Sequence, residues 1–493
     1  MTAIDFIRRQ SMSETKNKSL NKLAFKAGIF YIISQLFVRG ISFMMTPVFA
    51  RLLSQEQYNQ YKIYESWLLI FLPIMSLCLW RSVERAKYDV KEKFNEFVSS
   101  VHFLSYLSIT VFFIIFLIFR EPLQKFCSMN DFMMIVAFLY TYAHTSIYYF
   151  QRREKQMMRY KASTSFTAAT VIPATLLSVL VVVLGKNQGY GEHLVELRIG
   201  GYFIPMIIGG FAVAILLTVQ GKKMVHLQYW KYALTFSLPL IPEVLSIQIM
   251  NQADKLMVTS MVGDLSGSIF AMATVVSYII WILEDSVWNA WLPWMYEKMA
   301  RNEGKDIQQY WRILMHAFGI ISFGLVLFAP EIILILGGKK YHDSIYLIAP
   351  MVTGTLFRFY SYSYTAIQNF HKKTRFVAIS TVFSMILNVF LNYVCILLFG
   401  YQAAAYTTAF CYLVLMCLQA YMEKRLTGEQ LIPLKKTLMI SIGYFVLCMV
   451  TMVLFRWPSV VRYLIAVCLV PVCLKYFLPQ MKLIMKALKK NKK

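Results

Sequence analysis

The chain has 493 residues, of which 58% are apolar and only 15% charged, and the apolar residues arrive in repeated runs of about 20, the length that crosses a bilayer. Fifty Lys and Arg against 25 Asp and Glu leave a net charge of +25, which in a soluble protein would suggest nucleic acid. Here the basic residues lie between the runs, where the positive-inside rule and anionic lipid headgroups account for them, so membrane lipids are the expected partners and nucleic acid is not.

The pattern predicts an all-α polytopic membrane protein. Residues 1–27 form a basic segment with neither a short apolar core nor a small-residue cleavage site, so the first span is not a removable signal and the N-terminus is expected in the cytoplasm. Spans are expected at 28–52, 61–80, 99–119, 130–150, 163–184 and 200–219, then at 233–262, 267–291, 313–336, 345–368, 376–399, 402–421, 437–455 and 460–480, about fourteen in all. Basic loops at 81–98 and 151–162 alternate with sparsely basic ones, which places both termini in the cytoplasm. The basic stretch 222–232 reads as a cytoplasmic linker between a first lobe (28–221) and a second (233–421), followed by two further spans (422–480) and a basic tail (481–493). The second half restarts the layout of the first, with a long polar-interrupted helix, a short outer turn and an aromatic return helix.

No loop is long enough for a catalytic domain, and no nucleophile constellation, paired catalytic carboxylates, phosphate-binding loop or metal cluster stands out, so the chain is not read as an enzyme. The eight cysteines are scattered without metal-ligand spacing and read as packing residues.

The first span holds Arg39 about midway between Lys26 and Arg51, too deep to snorkel to either interface. With Gly28, Gln35, Ser42 and Thr46 it forms a narrow polar stripe on the helix, suited either to an ion pair with a neighbouring helix or to an aqueous cavity. The seventh span carries Pro239 and Pro242, which loosen it, then Glu243, Gln248, Asn251, Asp254 and Lys255. Lys255 either snorkels outward or faces a cavity, and Asp254, Glu243 and Glu284 are candidates for a proton or sodium coupling site. Arg358 lies at mid-depth in the tenth span, where it either pairs internally with Asp254 or Glu284 or joins Arg39 and Lys255 in receiving an anion. Glu284 itself is expected near the inner end of the eighth span, within an interfacial belt of Trp281, Trp288, Trp291 and Trp294. In the fourth span Tyr140, His144 and Tyr148 share a face on which sugar rings can stack, with His144 either a satisfied core residue or a proton relay. Asn388 and Asn392 lie one turn apart and read as helix-packing residues.

Several stretches in this order resemble the Wzx-type oligosaccharide flippases of the MOP (multidrug, oligosaccharidyl-lipid, polysaccharide) exporter superfamily. They are the opening helix with Gln35, Arg39 and Gly40, then Pro47, ARLLSQEQYNQY at 50–61, WRSVERAKYD, FSLPLIP with NQADKLMV, WLPWMY, APEIILILGGKKYHDS, HKKTRF and the Asn388 and Asn392 pair. Asn59 stands where that family has glycine. The resemblance implies a MATE-like fold of two pseudo-symmetric six-helix lobes around a central cavity, plus two C-terminal helices. It also implies a monomer that flips a polyprenyl-pyrophosphate-linked oligosaccharide from the inner to the outer leaflet by alternating access, working beside glycan polymerase machinery and without a cofactor other than coupling H+ or Na+. The substrate would contact Arg39, Gln35, Lys255, Asn251, Arg358, Tyr140 and His144. The alternatives are a cation-coupled drug exporter and a membrane glycan polymerase or ligase; the chain lacks the large outer loop of the latter.

Overall fold

Helix starts and stops follow local chemistry. The outer-turn motif at Ser54 closes a capping box, in which the Ser54 hydroxyl accepts from the Gln57 N–H and the Gln57 side chain accepts from the Ser54 N–H, each at 3.1 Å. This sets the start of α2 (Gln55–Met75), after the short α1 (Thr46–Leu52). Asn59 is fully buried inside α2 rather than in the turn. The computed structural model describes residues 40–469 apart from Ser42, Met158 and Glu429, together with Pro471 and Lys475.

The second expected span is cut short, since Leu77 and Cys78 both take left-handed backbone (φ 50°) and end the helix five residues before position 80. There follow α3 (Ser82–Val90), α4 (Phe94–Ile118), α5 (Arg120–Cys127), α6 (Asp131–Gln156), α7 (Tyr160–Asn187) and α8 (Leu194–Gly221). The α5 and α6 axes are bent by 90° at a break where Asn130 caps α6 through the Met133 N–H. Glycines bring the helices close: a Cβ on Gly210 would lie 2.6 Å from the Ala143 backbone, and one on Gly201 would lie 2.7 Å from Ser178 Cα.

The seventh span begins earlier than expected. α9 (Leu227–Ser237) takes in half of the expected linker, because Trp230 Nε1 donates to the Ser100 carbonyl at 3.0 Å and the Tyr232 hydroxyl donates to Asp89 at 2.6 Å. A 3-10 turn at Leu238–Leu240, containing Pro239, separates α9 from α10 (Ile241–Val262). The described residues divide into two compact units, one ending at Leu245 and the other beginning at Ser246.

The second unit contains most of α10, then α11 (Asp264–Ala300), α12 (Gly304–Leu327), α13 (Ala329–Leu336), α14 (Ile345–Phe370), α15 (Thr374–Phe399), α16 (Ala403–Thr427), α17 (Leu434–Val453) and α18 (Ser459–Leu469). The expected ninth span breaks after Leu327, and the next turns form the separate α13, which begins at Ala329 with Pro330 in its first turn. α13 is tied to α18 by the Arg462 guanidinium, 2.7 and 2.8 Å from the Glu331 carboxylate. α14 lies against α16 where a Cβ on Gly354 would approach Ala409 Cα to 3.0 Å.

Among the described residues, nine helical segments are long and apolar enough to cross a membrane, or ten if the bent α5 and α6 count as one span. This is fewer than the fourteen expected. α2 and α14 are long enough but too polar to qualify, and the first and last expected spans fall partly outside the described residues.

Candidate functional site

α11 runs for 37 residues, so Glu284, some 20 residues from its start, is about 30 Å along the axis rather than near an end. Glu284 is fully buried. Trp288 and Trp291 lie 6.1 and 6.0 Å from the buried Trp311, which in turn contacts Phe359 at 5.2 Å.

Opposite Glu284, α14 presents Arg358, itself only 9% exposed. Its Nη2 lies 3.5 Å from Glu284 Oε2, and its Nη1 donates a long hydrogen bond of 3.4 Å to Asn251 Oδ1. The Tyr412 hydroxyl donates to the same Asn251 oxygen at 2.8 Å. Trp281 and Tyr412 stand 5.7 and 5.8 Å from the guanidinium, within cation–π range. Of the two acidic partners open to Arg358, the structure selects Glu284. The pair is loose: Arg358 Nε and Nη2 and both Glu284 oxygens make no hydrogen bond among the described residues. A buried arginine therefore keeps two unused donors beside a carboxylate that neutralises it only through space.

One turn along α10 from Asn251, Asp254 is buried in a separate network. Asn392 Nδ2 donates to its Oδ1 at 2.6 Å and the Thr408 hydroxyl to its Oδ2 at 2.7 Å. Asn388 donates to Thr408 at 2.8 Å, and Thr407 donates to Asn392. Asn388 and Asn392 thus do more than pack helices. They and the Thr407, Thr408 pair face a carboxylate that enters no ion pair among the described residues. A carboxylate buried this deeply calls for a compensating charge or a proton, and the Lys255 ammonium beside it in sequence supplies part of that charge.

Lys255 is half-buried and has interactions of its own, and Glu243 is half-buried in the first turn of α10. In the first unit Tyr140 and His144 stack with ring centroids 4.9 Å apart, and His144 lies 4.5 Å from Tyr148, so the expected aromatic face is present. His144 Nδ1 has no hydrogen-bond partner among the described residues. Arg39 and Gln35 lie outside the described residues.

Three groups escaped sequence reasoning. Tyr412 was hidden in an ordinary aromatic helix, and the Thr407, Thr408 pair became readable only opposite the Asn388, Asn392 face. Arg198 falls between the expected spans 163–184 and 200–219, yet α8 starts at Leu194 and holds it 8% exposed, with its guanidinium 3.4 Å from the Phe49 ring centre and bonded to Ser178 at 2.5 Å.

Residues 24–299 match the family described as "Polysaccharide biosynthesis protein". The "Lsg locus putative protein 1" of Haemophilus influenzae is 23% identical over 339 residues, covering 66% of this chain and 80% of that protein. Among solved structures, "Lipid II flippase MurJ, inward closed conformation" superposes with a TM-score of 0.69 at 16% identity, covering 92% of this chain and 100% of the other. The inward-facing conformation of a multidrug resistance MATE family transporter of the MOP superfamily gives 0.58 at 13% identity, over 80% and 98%. The fold is therefore that of the MOP transporters.

Proposed function

Since the chain belongs to the polysaccharide biosynthesis protein family, we propose that it flips a polyprenyl-pyrophosphate-linked oligosaccharide, a repeat unit of O-antigen, capsule or exopolysaccharide, from the inner to the outer leaflet by ion-coupled alternating access. The observation that carries this reading is Arg358, buried within α14 with two donor nitrogens that make no hydrogen bond among the described residues. A pyrophosphate brings about two negative charges and oxygens spaced for a planar guanidinium fork, so binding there offsets the desolvation of the head group. Asn251 and Tyr412 fix the direction of the fork, while Arg39 and Lys255 add positive charge. The glycan would stack on the Tyr140 and His144 face. Asp254, framed by Asn388, Asn392, Thr407 and Thr408, is the coupling site for H+ or Na+.

Depletion of the protein in its native cell, followed by extraction of lipid-linked intermediates, tests the reading. A flippase leaves the glycolipid accumulating on the inner leaflet. Unchanged glycolipid with altered tolerance of cationic drugs would instead identify a drug exporter.

A further inference from the structure

A second feature of the second unit takes no part in the flipping site. A cleft of about 210 Å³ opens between the start of α12 and the start of α17. Lys305, Arg312 and Lys436 line it on the polar side, and Met315, Ile432 and Ile440 on the apolar side. The cations are exposed, and none of the three enters an ion pair among the described residues. The acidic residues next to Lys305 in sequence are already engaged, since Glu303 and Asp306 both pair with Lys298, the latter at 2.7 Å. The walls are fixed, because Gln308 Nε2 donates to the Leu431 carbonyl at 2.7 Å and stitches α12 to the segment that leads into α17. The Trp311 indole, also in the lining, has no hydrogen-bond partner for its Nε1 among the described residues.

Three convergent cations with no acidic partner, set against an apolar wall at the ends of two membrane helices, match an amphipathic anion: phosphate on the charged side, hydrocarbon on the other. The loop charges assign this end of both helices to the cytoplasmic leaflet, where anionic lipids are concentrated. We propose that the cleft is a binding site for the phosphate headgroup of an anionic bilayer phospholipid, distinct from the site of the transported glycolipid. It stands whether or not the chain is a flippase.

The test is native mass spectrometry of the full chain released from detergent carrying equal phosphatidylglycerol and phosphatidylcholine. The expected result is a several-fold excess of phosphatidylglycerol adducts. It should be lost in Lys305→Gln/Arg312→Gln/Lys436→Gln and kept in the equally charged control Lys91→Gln/Lys93→Gln/Lys373→Gln. Keeping the charges in Lys305→Arg/Lys436→Arg should preserve it, which separates lost recognition from a folding defect. Equal adducts of the two lipids, or equal loss in the control, would overturn the proposal. So would uptake of labelled inorganic phosphate in lipid-free detergent without any preference for phosphatidylglycerol, which would make the cleft a free-anion site.

Discussion

Asn392 on α15 donates to Asp254 on α10 at 2.6 Å, joining residues 138 positions apart in sequence within one buried network. The bond turns a lone acidic residue in a membrane helix into a structured site. Replacing Asn392 by Ala strands one carboxylate oxygen in a dry interior, at a cost of about 1–3 kcal/mol. Thermal unfolding in detergent should show a lowered Tm for Asn392→Ala. Asp254→Asn, which removes the charge but keeps the shape, should stay near the wild-type Tm and yet lose the dependence of glycolipid flipping on a proton or sodium gradient. An ion dependence that survives in Asp254→Asn rules out Asp254 as the coupling residue.

Arg358 and Glu284 admit a sharper dissection. Removing either one leaves a buried uncompensated charge, costing about 3–5 kcal/mol, so Arg358→Met and Glu284→Gln should each unfold early. The double variant has no charge left to strand and should recover much of that stability. If Arg358 receives the pyrophosphate, surface glycan remains absent in the double variant despite normal protein levels. Recovery of export together with stability would reduce the pair to a structural contact.

Arg39 is expected to act on the substrate path. Arg39→Ala should abolish surface glycan export while the protein remains inserted and abundant by immunoblot, and Arg39→Lys should retain part of it, since a lysine supplies the charge but not the bidentate fork. Full export by the Ala variant removes Arg39 from the path.

Gly210 tests the packing. A single methyl there has to displace the Ala143 backbone, 2.6 Å away, so Gly210→Ala should cost about 1–3 kcal/mol and appear as a fall in Tm. Gly40, with nothing within 4 Å of an added Cβ, is the control that should tolerate Ala unchanged.

The helical repeat and the polar interruptions were readable because a bilayer imposes a length of about 20 apolar residues on each span, and any charge within one stands out. Asp254, Arg358, Asn251 and Glu284 were found on that ground. What could not be read was partnership. Arg358 had two acidic residues within plausible reach, and only the packing of α11 against α14 selected Glu284. Asn388 and Asn392 looked like packing residues because a hydrogen-bonding face does not name what it faces. Helix ends were misplaced where backbone rather than hydropathy decides them, at the left-handed Leu77 and Cys78 and at the break after Leu327.

The 37 residues of α11 make a rod of about 55 Å, whereas the hydrocarbon layer is about 30 Å thick. A substantial stub must therefore stand in water, and its final turns are braced by the Arg301 to Glu297 and Lys298 to Asp306 ion pairs. Pivoting such a rod by about 10° around its centre swings each tip by roughly 5 Å. A spin label at exposed Ala300 would act as a needle on a dial, magnifying rearrangements around Glu284 that are too small to see directly.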